Sequence, residues 1–434
     1  MKVLVVGGGG REHALVWRLA RDPAVDELLA APGNPGIGAE ARLIPVAADD
    51  LPGLVALVER EDVDLTVVGP EVPLVLGLVD ALESRGRAVF GPSAAAARLE
   101  GSKAFAKDVM RRAGVPTARS ATFTRKDWEA DPRDALSFLD AELAGGPAVV
   151  KADGLAAGKG VVVADTRDEA AAAVEACLGA GAFGRAGASV VIEERLEGPE
   201  VSAFAISDGR QVLSLGFAQD FKRVGDGDAG PNTGGMGAYS PVTFVDEALA
   251  RRITAGVLQP TVRVMAEDGI PYRGVLYAGV MLTPDGPRVL EFNCRFGDPE
   301  TQVLMPRLAS EPAELLLAAA SGELAGTTVE FRSEACVTVV LASGGYPGAH
   351  ETGSEISGLQ EAEEVEGAVV FHAGTQERGG RVVTAGGRVL SVSALGVSLG
   401  QARDRAYDAC SRISFEGMYH RTDVAAAAAG EERR

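Results

Sequence analysis

Glu291, Asn293 and Arg295 alternate through the run Leu290-Glu291-Phe292-Asn293-Cys294-Arg295. On an extended strand that spacing sends all three side chains to one face. A carboxylate and an amide oxygen two residues apart suit a hard cation that keeps phosphate oxygens and waters among its ligands, as Mg²⁺ prefers. A guanidinium next along that face can meet a phosphoryl group or a carboxylate. A second chemistry resides in Lys151-Ala152-Asp153-Gly154-Leu155-Ala156-Ala157-Gly158-Lys159-Gly160. Three residues separate Gly154 from Gly158, and Gly160 stands where a Walker A loop has Ser or Thr, so the segment is not that loop. A strand ending in Lys, a glycine loop with a second Lys and a further strand can still fold over polyphosphate. A flexible hairpin without function fits the bare pattern equally well.

Lysine is scarce. Of 42 basic residues only Lys2, Lys103, Lys107, Lys126, Lys151, Lys159 and Lys222 are lysines, and Lys151, Lys159 and Lys222 lie in or beside glycine-rich segments. Glu193 ends an apolar strand and Glu200 follows seven residues later; the two can bracket a nucleoside or belong to a charged surface turn. Asp220-Phe221-Lys222-Arg223 leads into a run rich in glycine, which suits close approach of backbone to a ligand, or a long mobile loop. Gly7-Gly8-Gly9-Gly10-Arg11-Glu12-His13 departs from the dinucleotide fingerprint, because Glu12 or His13 stands where the third glycine belongs. A tight turn and a phosphate cradle at a helix N-terminus both remain open there. No Ser or Cys constellation suggests a covalent nucleophile.

The elements that must hold these residues follow from the pattern of apolar runs. In the first hundred residues, Val3–Val6, Glu27–Ala31, Leu65–Val68 and Ala88–Phe90 each stop at a small-residue loop, the pattern of parallel strands whose C-terminal ends line a crevice. A helix over Ser102–Gly114 follows. Ala148–Lys151 and Gly160–Ala164 read as a hairpin around the glycine loop, and Ser189–Glu193, Val201–Ser207, Val212–Phe217, Gly274–Leu282 and Arg288–Phe292 as further, mostly antiparallel strands. Short strands at Cys336–Leu341, Val369–His372, Arg381–Thr384 and Val389–Ala394 and a helix from Leu399 make a third piece, and the Ala-rich tail from about 425 reads as frayed.

Length and composition agree with several α/β domains: 434 residues, 46% hydrophobic and only 5% aromatic. A net charge of −19 argues against general nucleic-acid binding, which wants a basic face. Cys177, Cys294, Cys336 and Cys410 are too far apart for a metal-ligand motif and read as buried thiols. No stretch reads as a signal peptide or membrane span, so the expectation is a cytoplasmic chain that does not contact membranes.

In order and spacing, GGGGREHA from residue 7, KADGLAAGKGV, QDFKRVGDGDAGPNTGGMGAYSP and VLEFNCRFGDPETQ resemble the ATP-grasp superfamily and, within it, the glycinamide ribonucleotide synthetase family. The resemblance covers the first three quarters of the chain. The remainder is similar at its glycines and at FEGMYHRTDVA. What it implies is an α/β chain of three parts: a parallel-sheet domain at 1–100, an ATP-grasp domain at 101–330 with two α+β lobes, and a small mixed α/β domain at 331–434. The lobe bearing the glycine-rich lid would span about 116–192. The implied activity is ligation of glycine to 5-phosphoribosylamine through a glycyl phosphate, with ATP and Mg²⁺ or Mn²⁺, in purine biosynthesis; another ATP-grasp ligase or carboxylase of purine metabolism is the alternative. A monomer is expected. Lys103 and Lys151 would hold the α- and β-phosphates, and Gly158, Lys159 and Gly160 belong to the lid. Glu193 would lie on the adenine side, with the Leu196 backbone at the purine and Glu200 at the ribose hydroxyls. The resemblance makes Lys222 a third phosphate cation and Glu291 and Asn293 the metal ligands. Within that frame we assign Asp220 and Arg295 to the glycine ammonium and carboxylate. Gly10, Arg11 and Glu12, with Glu71 and Asp298, would form the phosphoribosylamine edge. Many ATP-grasp members carry a third metal-binding acid on the strand before the Glu-x-Asn pair. Here that strand, Gly279-Val280-Met281-Leu282, offers none, which leaves the number of metal ions open.

Overall fold

A computed structural model of the chain describes residues 1–154, 160–182, 184 and 186–432. Near the N-terminus the apolar runs form a parallel sheet of β1 (Lys2–Gly7), β2 (Glu27–Pro32), β3 (Arg42–Leu43), β4 (Leu65–Val68) and β5 (Val89–Phe90), in the order β3-β2-β1-β4-β5. The expectation of a parallel N-terminal domain is met, with β3 an addition too short to read from the sequence. Val3, Val5, Leu4 and Val6 are all fully buried, because helices cover both faces of such a sheet. At its C-terminal edge Gly7 has φ +124° and a side chain there would meet the Glu12 Cγ at 2.6 Å, so only glycine permits the turn into the helix Gly10–Leu19. The Glu12 carboxylate folds back to accept the Gly9 N–H at 2.7 Å, capping that helix.

Between about residues 116 and 192 the chain forms a four-stranded antiparallel sheet, β6 (Ser120–Thr124), β7 (Ala148–Ala152), β8 (Val161–Ala164) and β9 (Ser189–Glu194), in the order β6-β9-β7-β8. The helices Arg133–Ala141 and Arg167–Leu178 close one face, and Leu139, Val150, Val174 and Ile192 belong to a core separate from the rest of the molecule.

The third sheet is antiparallel and eight-stranded. It contains β10 (Glu200–Asp208), β11 (Val212–Asp220), β14 (Gly237–Ser240), β15 (Arg273–Thr283), β16 (Gly286–Asn293), β17 (Ala335–Ala342), β18 (Ala368–His372) and β21 (Arg388–Gly396), in the order β16-β15-β10-β11-β14-β17-β21-β18. Two hairpins, β12 (Arg223–Gly225) with β13 (Ala229–Asn232) and β19 (Thr375–Arg378) with β20 (Arg381–Thr384), stand beside it. β14 pairs with β17 from Gly237↔Val339 to Ser240↔Cys336. β17, β18 and β21 therefore extend the central sheet past residue 331.

The expectation of a frayed tail is corrected. Ala426–Glu432 is a helix, Val424, Ala425, Ala428 and Ala429 are buried, and the Leu399 N–H donates to Glu432 Oε2 at 2.8 Å. The small alanine side chains that suggested disorder are what let this helix lie close against the helix Leu399–Arg412. Among the described residues no helix is long and apolar enough to cross a membrane.

Candidate active site

A cavity of about 1190 Å³ opens where the three sheets meet. Its floor is the end of β16, where Glu291, Asn293 and Arg295 all reach the cavity wall. The strand stops at Asn293, so Arg295 does not arrive by simple alternation. It folds back just past the strand end, its Nη2 donating to Asn293 Oδ1 at 3.3 Å. Glu100 fixes that bend: its Oε2 accepts the Cys294 N–H at 2.8 Å and its Oε1 lies 3.2 Å from Arg295 Nη2. Upstream, β15 pairs Gly279 with Glu291 but Val280 with Val289, so Leu290 is an extra residue. The bulge directs its carbonyl to Lys151 Nζ at 3.0 Å.

Among the described residues four lysines line the cavity: Lys103, Lys107, Lys151 and Lys222. Ser102 caps the helix Lys103–Ala113 by accepting the Phe105 N–H at 3.1 Å, and this places Lys103 and Lys107 one turn apart on one face. Burial pushes both ammonium groups below the ordinary lysine range, against the pull of Glu291 on Lys103 and of Glu193 on Lys107. Burial alone would raise Glu291. Lys222, Lys151, Lys103 and Arg295 outweigh it and hold the carboxyl below its usual range. Such a field suits a polyanion: it concentrates positive charge around one acid able to take a cation.

Lys107, Lys151 and Lys222 are paired with carboxylates in this arrangement. Glu193 bridges Lys107 at 3.1 Å and Lys151 at 2.9 Å. Lys222 contacts Glu200 and lies 3.5 Å from Asp220. Burial pushes Asp220 up to about 6 against the opposing pull of Lys222, and it pushes Glu200 up as well. Behind them Glu300 accepts the Tyr277 hydroxyl at 2.7 Å.

The opposite wall comes from the parallel sheet. Glu71 begins the helix after β4 and lies 3.4 Å from Arg295, which draws its carboxyl below the usual range although burial acts the other way. Arg11 reaches the cavity while donating to Glu12 at 2.6 Å and to the Phe296 carbonyl at 3.1 Å. Asp298 lies 3.3 Å from Arg388, a residue of β21.

Twelve expected site residues thus share one cavity: Lys103, Lys151, Gly160, Glu193, Asp220 and Lys222 from the ATP-grasp lobes, Glu291, Asn293, Arg295 and Asp298 from β16 and its extension, and Arg11 and Glu71 from the N-terminal sheet. Gly10, Glu12, Leu196 and Glu200 are off its wall. Gly10 starts a helix against Gln302, and both Glu12 oxygens are engaged by Gly9 and Arg11. Leu196 lies in the connection between β9 and β10, and Glu200 reaches the site through Lys222. Gly158 and Lys159 lie outside the described residues. Residues overlooked in the sequence are Lys107, Glu100, Glu300, Tyr346 and Arg388. For Lys107 the signal was present, a scarce lysine four residues after Lys103. Glu300 lies within the VLEFNCRFGDPETQ segment, and Glu100, Tyr346 and Arg388 have no local signature.

Among the described residues no group of three or more His, Cys, Asp or Glu side chains can hold a metal. Glu291 and Asn293 supply two oxygen donors. That fits Mg²⁺, which takes few protein ligands and completes its shell with phosphates and water.

A small four-stranded sheet facing a larger antiparallel sheet across a lysine-rich cavity, with a carboxylate–amide pair on its floor, defines an ATP-grasp ligase. Matches to family descriptions divide the chain in the same way: the N domain of phosphoribosylglycinamide synthetase over residues 1–100, its ATP-grasp (A) domain over 101–301 and its C domain over 336–427. The chain belongs to the phosphoribosylglycinamide synthetase family. It is 54% identical over 435 residues to the phosphoribosylamine–glycine ligase of Streptomyces coelicolor, covering 99% of this chain and 100% of that one. Over 437 residues it is 50% identical to that of Vibrio vulnificus, covering 100% of both. The crystal structure of phosphoribosylamine–glycine ligase from Thermotoga maritima superposes with a TM-score of 0.81 at 34% identity, over 98% of this chain and 100% of that one. The biotin carboxylase domain of 2-oxoglutarate carboxylase from Hydrogenobacter thermophilus has a TM-score of 0.71 at 19% identity, over 96% and 91% of the two chains; it shares the fold alone.

Proposed function

We propose that the chain joins glycine to 5-phosphoribosylamine using ATP, with the Glu291 end of β16 as the reaction centre. One observation carries this reading: Lys103, Lys151 and Lys222 line one cavity with Glu291, Asn293 and Arg295, and Arg11 and Glu71 of the N-terminal sheet form its other wall. A carboxylate does not acylate an amine unaided, so its oxygen first attacks the γ-phosphorus of ATP. The bond to the bridging oxygen breaks, ADP leaves and glycyl phosphate forms. The amine nitrogen then attacks the acyl carbon, the carbon–oxygen bond to phosphate breaks, and the nitrogen gives up a proton to water. Lys103 and Lys151 bind the α- and β-phosphates, and Lys222 meets the transferred phosphoryl. Arg295 holds the glycine carboxylate and Asp220 its ammonium. Glu193 and Glu200, now paired with lysines, turn to the adenine and ribose sides when phosphates take over those cations. Arg11, Glu71 and Asp298 face the phosphoribosylamine. Glu291 and Asn293 would hold Mg²⁺, or Mn²⁺, which supplies charge neutralisation on the phosphoryl oxygens. The protein's contribution is positioning and fixed charge.

The test is ADP release with glycine and phosphoribosylamine omitted in turn. Release at full rate without glycine, or with bicarbonate in its place, would overturn the assignment in favour of another ATP-grasp activity.

A further inference from the structure

We propose that Arg421 is a positioning residue for the ligation: it holds both chain neighbours of Lys222, the Phe221 ring and the Arg223 carbonyl, and so keeps that ammonium in the cavity. The inference rests on the role assigned to Lys222 above.

Arg421 is 1% exposed although it lies thirteen residues from the end of the chain. A guanidinium is rarely that buried unless every donor is used. Nε and Nη2 donate to the two oxygens of Asp423, each at 2.7 Å. Nη1 donates to Asp228 Oδ1 at 2.7 Å and to the Arg223 carbonyl at 3.1 Å. The guanidinium also lies over the Phe221 ring, 4.8 Å from its centre. Phe221 and Arg223 are the neighbours of Lys222. Neither the burial nor the bonds serve the reaction directly, since Arg421 is not on the cavity wall.

The residues around Arg421 reinforce the same grip. Tyr419 donates its hydroxyl to the Val224 carbonyl at 2.9 Å, and the Thr422 N–H donates to Asp226 Oδ1 at 2.8 Å. The Gly227 N–H donates to Asp423 Oδ2 at 2.8 Å. These contacts run along β12 and the turn to β13, and Asn232, at the end of that hairpin, lines the cavity beside Lys222. The strap is itself anchored. Tyr407 on the helix Leu399–Arg412 donates to the Arg421 carbonyl at 2.8 Å, and Arg403 to the Thr422 carbonyl at 2.7 Å. The C-terminal segment thus ties the Lys222 hairpin to the last helices of the molecule, and the otherwise unexplained YHRTD sequence acquires a role at the site.

The test measures kcat, KM and nucleotide-binding stoichiometry in full-length Arg421→Lys, in Asp226→Ala/Thr422→Val, and in each combined with Lys222→Met. The second variant loosens the exposed side of the strap without stranding a buried charge, so it decides the question if Arg421→Lys fails to fold. The expected result is a kcat at least tenfold lower for Arg421→Lys and at least threefold lower for the pair. Each should still bind one nucleotide per chain with KM for ATP within twofold of the parent. In the Lys222→Met background the same changes should cost less than twofold more, because the residue they act through is gone. A kcat per nucleotide site within twofold of the parent in the variants that fold would overturn the proposal, as would an equal loss in both backgrounds. If Lys222→Met alone leaves kcat intact, the role given to Lys222 fails, independently of how tightly the strap holds the hairpin.

Discussion

Among individual residues, Glu291 carries the most specific expectation. It is the acid on which four cations converge, and β15 offers no second carboxylate beside it to compensate. Glu291→Gln keeps the shape and removes the charge that a divalent cation needs. Losing one electrostatic stabiliser of a transition state costs about 10²–10³ in rate. The expected outcome is a kcat lower by at least that factor with the fold retained, partly restored by excess Mg²⁺. Turnover within about threefold of the parent would show that the metal is held elsewhere.

The element that matters most is the end of β16. Hydrogen bonding of the strand stops at Asn293, and Arg295 is kept at the cavity by Glu100, in the segment that joins the parallel sheet to the ATP-grasp domain. Glu100→Gln preserves an acceptor for the Cys294 N–H but removes one of the two carboxylates facing Arg295. A charge-assisted bond of this kind contributes about 1.5–3 kcal/mol, so chemical denaturation should show a loss within that range. Arg295 would then hold glycine less firmly, and KM for glycine should rise several-fold while KM for ATP stays level. A matched rise in both constants would mean that Glu100 supports the whole cavity and not the glycine end of it.

For the molecule as a whole, the N-terminal and C-terminal parts are latched by two buried histidines. The His372 N–H donates to His13 Nδ1 at 2.7 Å, and Asn34 donates to the His372 carbonyl at 2.8 Å and to the Gly8 carbonyl at 2.9 Å. Burial lowers His13 to about 3, helped by His372 and Arg21, and lowers His372 to about 4. Because both folded values lie below the free imidazole value of 6.5, the unfolded chain takes up protons first. The stability from these neutral rings is complete above 6.5 and is lost as the pH falls towards 3–4, by up to about 1.4 kcal/mol per pH unit for each ring. Thermal melts of the parent should therefore steepen their decline below that pH. His13→Gln should be less stable near neutrality, where a buried bond is weakened, yet lose less on acidification. Parallel curves for parent and variant would show that the latch does not titrate.

What the sequence by itself determined is what depends on a few neighbouring residues. Strand alternation put Glu291 and Asn293 on one face, the apolar run Leu65–Val68 stopped at the loop whose Pro70 and Glu71 edge the cavity, and Ser102 and Gly114 bounded the helix that carries Lys103. Each follows from backbone periodicity or local sterics, which act within one or two turns of chain. Only the tertiary structure decided the rest. Glu193 meets Lys107 and Lys151 across separate elements, Arg388 reaches Asp298 from the C-terminal strands, and β17 extends the central sheet past the boundary near residue 331. The Ala-rich tail, which composition alone read as frayed, is ordered because small side chains pack closely on a helix formed elsewhere. Those pairings join residues tens to hundreds of positions apart. Their geometry depends on how the sheets stack, and no local pattern records that.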